Sequence, residues 1–193
     1  MQTRRILSGQ PTKVALTKVS KIIKSLKLSN NNITVMDALL QQFHSLKYLS
    51  LTGNRISHVE NLPKQLEFLA LNGNLLKEYP DLFKLEHLQH VGLSHNSIVQ
   101  IFDNPSSCWL PSSLLSLDLA NNCICSLQNV IGLLEKLPRL KIASFSRNPV
   151  SLLACYRSTI VTKSQNLLNL DDVKVMQSER MQPDTETDFC IID

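Results

Sequence analysis

Glycine is scarce. The 193 residues contain five, and no G-x-G-x-x-G or G-x-x-x-x-G-K can be spelled with them. A glycine loop that cradles phosphate is excluded, and with it the commonest nucleotide-binding chemistry. Long apolar runs are also missing. Apolar residues make up 43% of the chain, but the uninterrupted runs are a few residues each, too short to span a bilayer. Acid is absent before Asp37, where seven basic residues stand (Arg4, Arg5, Lys13, Lys18, Lys21, Lys24, Lys27). From Asp171 onward the balance reverses, with seven acids against Lys174 and Arg180. The net charge of +4 therefore hides a basic beginning and an acidic end. A basic arm can bind nucleic acid or an acidic protein surface, and it also serves simply as a solvated start to a chain.

Other chemistry is thin. The opening "MQTRRILSGQPTKVALTKVS" has arginines without an apolar core, so a secretory signal is not expected. Five cysteines (Cys108, Cys123, Cys125, Cys155, Cys190) form an odd and scattered set, expected as free thiols in a reducing compartment. Cys123-x-Cys125 lacks a second ligand pair at metal spacing, and Cys123 is expected as a small packing residue in a turn. His44, His58, His87, His90 and His95 show no ligand spacing. The ending Cys190-Ile191-Ile192-Asp193 has the shape of a prenylation box, but a terminal Asp and an acidic flank argue for a plain tail. No acid–base pair or nucleophile set stands out, so neither an enzyme, a cofactor nor a metal is expected.

What is present is a repeat. The template L-x-x-L-x-L-x-x-N-x-L fits six times. In "LKYLSLTGNRI" it is Leu46, Leu49, Leu51, Asn54 and Ile56, and in "LEFLALNGNLL" it is Leu66, Leu69, Leu71, Asn74 and Leu76. The other copies begin at Ile23, Leu88, Leu114 and Leu140, with asparagines at Asn31, Asn96, Asn122 and Asn148. The asparagines step by 23, 20, 22, 26 and 26 residues. In a short strand the leucines of L-x-L point to one side, into a core. The chain must then turn, cross behind and return one strand further along. No repeat buries its leucines alone, so stacking creates the common core. The asparagine column is expected to be structural. Asn carries an acceptor and two donors, enough to bond backbone on its own repeat and the next where the strand ends. Gly53 and Gly73, just before their asparagines, suit an unusual backbone there, and His95 takes the same place in its repeat.

With these residues the chain resembles the leucine-rich repeat family over roughly Ile22 to Arg180. The resemblance implies an α/β solenoid, an arc with a concave parallel sheet and short helices and turns on its convex side. Residues 1–20 read as a basic arm or partial cap, 21–150 as six repeats, 151–180 as a C-terminal cap and 181–193 as an acidic disordered tail. The convex segments "VMDALLQQFHS" and "LQNVIGLLEKLP" have helix-like spacing. "HVENLPK" and "EYPDLFKLE" are broken by proline and suggest brief helical turns. The closing stretch, with Asn148-Pro149, Tyr156-Arg157, Leu170-Asp171 and Glu179-Arg180, resembles the cap of intracellular members related to the type-one phosphatase regulator and the spliceosomal A-prime protein.

A scaffold without a catalytic set binds proteins, and the side chains between core leucines face the concave surface. One column reads Ser25, Tyr48, Phe68, His90, Ser116, Ile142; the next reads Lys27, Ser50, Ala70, Gly92, Asp118, Ser144. In the third, Asn72 stands among small residues. Tyr48, Phe68 and His90 should form a strip beside a shallow trough over Ser50, Ala70 and Gly92, flanked by Lys27 and Asp118. Trp109, in the insert "IFDNPSSCWLPSS", is a peripheral contact or fills a gap. The reading is a non-catalytic, monomeric protein-binding scaffold in the cytoplasm. The phrasing of the repeats resembles a ciliary member of the family, which implies axonemal or dynein-associated partners. Two alternatives stay open: a regulatory subunit of a protein phosphatase, or a ribonucleoprotein component.

Overall fold

The computed structural model describes residues 19–101 and 110–181. Each L-x-L core pair falls in or beside a three-residue strand: β1 Ser25–Lys27, β2 Tyr48–Ser50, β3 Phe68–Ala70, β4 His90–Gly92, β5 Ser116–Asp118 and β6 Ile142–Ser144. These six run parallel in chain order. The strands are short because the chain must leave the sheet once per repeat. The central residue of each strand is Leu26, Leu49, Leu69, Val91, Leu117 or Ala143, and from Leu49 onward it is almost fully buried. The core continues through Leu46, Leu66, Leu88 and Leu114 and their partners, each without exposed surface. Burying one such leucine is worth roughly 1.5–3 kcal/mol, and the repeat period delivers several per turn.

The sheet has eight strands rather than the six of the repeats. β7 (Asn169–Leu170) joins β6 in parallel, and β8 (Val173–Lys174) folds back antiparallel on β7. Asp171 and Asp172 make that reversal with φ of 52° and 62°, the left-handed pair that a two-residue hairpin demands.

The convex side is uneven. Ala38–Gln42 is a 3-10 helix, its first turn capped by the Asp37 carboxylate accepting from the Leu39 amide. Helix α1 is Leu127–Glu135, where Ser126 Oγ accepts from the Asn129 amide and Val130, Leu133 and Leu134 are buried. The proline-broken segments after Asn54 and Asn74 form isolated turns without a helix, because Pro63 and Pro80 interrupt chains already too short for one. Helix α2 (Tyr156–Lys163) lies in the closing cap.

The residue before each ladder asparagine is left-handed: Asn30, Gly53, Gly73, His95, Asn121 and Arg147 have φ between 53° and 69°. His95 thus does what the two glycines do. The arm up to residue 18, Trp109 and the tail from residue 182 lie outside the described residues. No described helix is long and apolar enough to cross a membrane.

Candidate partner-binding face

The asparagines are the joints that hold the concave face in register. Asn74 Nδ2 donates to the carbonyls of Leu71 (2.9 Å) and Leu51 (3.0 Å), and its Oδ1 accepts from the Ile56 amide (3.0 Å). Asn54, Asn96, Asn122 and Asn148 repeat this arrangement. Two corrections follow. Each asparagine bonds its own repeat and the preceding one, not the next, because the turn after the strand folds back toward the earlier strand. And Asn31 is exposed: its Nδ2 reaches just the Ser29 carbonyl, since no earlier repeat stands beside it among the described residues.

Over this frame the first column aligns as the register requires, Tyr48 beside Phe68 beside His90. The Tyr48 and Phe68 rings stack with centroids 4.4 Å apart and planes 11° from parallel. The His90 ring lies 6.0 Å from Phe68, tilted by 37°. The three rings are half-buried, packed on one another with their outer parts open. Farther along the same column Ser116 is half-buried and Ile142 is 47% exposed.

The flanking residues are placed unequally. Lys27 Nζ sits 5.6 Å above the Tyr48 ring centroid, within cation–π range, so it extends the strip. Asp118 is turned to its own chain, its Oδ1 accepting from the Ala120 amide at 3.0 Å. Ser50 and Ala70 are small and nearly buried, which keeps the floor low beside the rings. Over Gly92 the trough is filled: a Cβ there would lie 2.5 Å from Asn72 Oδ1, and that oxygen accepts from the Ser94 amide at 3.1 Å. The absence of a side chain at Gly92 is what admits Asn72. The trough is therefore shorter than the sequence suggests, running over β2 and β3. Sequence reasoning missed the exposed ion pair of Lys47 and Glu67 (2.6 Å), although the two stand one position upstream of Tyr48 and Phe68 in adjacent repeats.

Elsewhere the outcome differs from expectation. Cys123 and Cys125 are free but exposed, so Cys123 does not pack into the core; buried Ile124 between them takes the inward position. Cys155 is disulfide-bonded, contrary to the free-thiol reading. A cavity of about 1130 Å³ opens on the convex side, where the short segments dip, and is lined by Val59, Leu62, Leu75, Tyr79 and Leu85 among others. It gathers none of the expected site residues. Burial there raises the Tyr79 hydroxyl well above its ordinary 10.

The cap binds the far end of the face. Asp171 Oδ1 accepts from the Phe145 amide (2.7 Å) and Oδ2 from the Tyr156 hydroxyl (2.7 Å). Burial and then that bond raise the Tyr156 hydroxyl far above 10. Arg157 clasps both oxygens of Glu179 and reaches the Leu170 and Lys174 carbonyls. Arg180 donates to the carbonyls of Val161, Ser164 and Leu167 at the end of α2.

A family profile described as leucine-rich repeat matches residues 49–189. The chain belongs to the leucine-rich repeat family. Leucine-rich repeat-containing protein 43 of Mus musculus is 32% identical over 186 residues, and that of Homo sapiens 30% over 184, covering 93% and 92% of this chain. The chain spans 28% of the length of either relative. Among solved structures, the Drosophila melanogaster SNF/U2A' complex contains a similar chain at 28% identity and a TM-score of 0.59, covering 65% of this chain and 72% of that one. Repeat solenoids of this kind are scaffolds for protein–protein contacts, made by an extended concave surface.

Proposed function

We propose that this leucine-rich repeat chain is a non-catalytic scaffold that holds a protein partner on its concave sheet, as a cytoplasmic component or assembly factor of the ciliary axoneme. The observation that carries the surface is the stacked Tyr48–Phe68 pair, continued by His90 and crowned by Lys27. Rings already ordered by stacking lose little freedom when a partner covers them, and aromatic anchors carry much of the energy of protein interfaces. Ser50 and Ala70 form the floor, Asn72 closes its far end, and Asp118 lies beyond it on β5. The likeness to leucine-rich repeat-containing protein 43 supports the setting, with axonemal or dynein-associated proteins as partners.

Proximity labelling in ciliated cells tests this reading. The chain should label axonemal proteins, and those on the strip should be lost with Tyr48→Ala/Phe68→Ala. A neighbour set without axonemal proteins would count against the setting. A second reading, a ribonucleoprotein component, is favoured by the likeness to the chain in the SNF/U2A' complex. Co-purification with RNA in place of axonemal proteins would select it.

A further inference from the structure

The first repeat is half of a joint. Leu46, Leu49, Leu51 and Ile56 of the second repeat are at most 1% exposed. Their counterparts Ile23, Leu26, Leu28 and Ile33 are only partly buried, and Ile22 and Val35 beside them are 76% and 69% exposed. Among the described residues β1 is the edge of the sheet. Its residues alternate: Leu28 and Asn30 donate to the Ser50 and Thr52 carbonyls, and Lys24 accepts from Tyr48. Ser25, Lys27 and Ser29 therefore turn their backbone groups outward, and no described strand pairs with them. Asn31 completes the slot. In later repeats the ladder asparagine reaches back to a carbonyl and an amide of the preceding repeat. Asn31 presents the same groups toward the open side, with its Oδ1 unpartnered among the described residues.

We propose that this edge is a second docking surface, which takes an acidic, extended segment of a partner protein as an added strand and turn. The segment would pair with the outward groups of Ser25, Lys27 and Ser29, lay apolar residues on Leu26 and Leu28, and meet the Oδ1 of Asn31 and the Nδ2 hydrogen not given to the Ser29 carbonyl. Charge selects it. Lys21, Lys24 and Lys27 stand along the edge, and no acid occurs before Asp37. Lysines on an edge strand deter pairing with copies of the same strand. Two copies meeting here would crowd their lysines with no acid between them, which disfavours a dimer. Nucleic acid would satisfy the lysines but leave the leucines and the edge amides unanswered.

The test uses the full chain, amide-resolved NMR and two probes: a nonapeptide alternating leucine with glutamate, and the same peptide with lysine for glutamate. In the free chain the Ser25, Lys27 and Ser29 amides should exchange quickly with solvent. The acidic peptide should shift and protect them, leaving Tyr48 and Phe68 unmoved. Ser25→Pro removes an outward amide without touching the β1–β2 bonds and should weaken binding about five- to tenfold. Lys21→Glu/Lys24→Glu, both exposed, outside the aromatic strip and so without effect on folding, should switch the preference to the lysine peptide. The proposal is overturned if those amides are already protected in the free chain, if the two peptides bind alike, if the shifts fall on the aromatic strip, or if the chain dimerises through β1.

Discussion

Replacing Asn74 by alanine leaves the Leu51 and Leu71 carbonyls and the Ile56 amide without partners inside the stack. Each costs roughly 1–3 kcal/mol when buried. Asn74→Ala is therefore expected to destabilise the chain by about 3 kcal/mol or more in denaturant unfolding. Asn31→Ala, which loses one exposed bond, should cost under about 1 kcal/mol. Equal losses at the two positions would contradict the ladder as described. The residue before each asparagine offers a paired test. Gly73→Ala meets no close atom, so its cost is the left-handed backbone alone, about 1 kcal/mol. Arg147 holds the same conformation with a side chain, so Arg147→Gly should be neutral or stabilise by up to about 1 kcal/mol. At this scale the sequence was informative wherever a residue repeats. The asparagine column and the role of His95 were both legible from the template. The direction of the asparagine bonds was not, because the template records spacing and not which way the turn folds. The exposure of Cys123 was missed for a related reason: alternation around Ile124 decides it, and a turn hides that alternation.

The elements differ in how far local sequence determines them. Strands were legible to the residue because leucine alternation and register share one period. The convex segments were less so: one of the two helix-like stretches is a 3-10 helix of five residues, since 23 residues per repeat leave little room to wind. The hairpin of β7 and β8 lies beyond the leucine period and was not foreseen, although Asp171-Asp172 is a recognisable turn pair. The cap yields a pH prediction. Glu179 lies below its ordinary 4.5, chiefly because Arg157 donates to it, and then because of the Met176 amide. A carboxyl lowered by folding contributes stability above its unfolded value and loses it as pH falls through the folded one. Wild type should thus melt above Glu179→Gln at neutral pH, and the two melting curves should converge as pH falls below 4.5 and through the lower folded value. A gap that persists in acid would mean that the Arg157–Glu179 pair is not its source.

The whole molecule is a one-dimensional stack, so its parts are nearest-neighbour coupled and its ends are special. The C-terminal end is closed by α2, the β7–β8 hairpin and the two arginines; the β1 end carries half-buried leucines and amides that no described strand pairs. Fold class and the location of the aromatic strip were readable from the sequence because both follow from the repeat. The filled trough over Gly92 was not, since it depends on one asparagine leaning across from the neighbouring strand. Half-buried rings that pack chiefly on one another should matter far more for binding than for folding. The direct measurement is a titration of the principal partner recovered from ciliated cells with wild type and with Tyr48→Ala/Phe68→Ala, alongside their melting temperatures. The prediction is an affinity loss of about a hundredfold or more, as expected when two interface anchors are removed, with melting shifted by no more than about 8 °C. Undiminished affinity in a folded double variant would place the partner somewhere other than the concave strip.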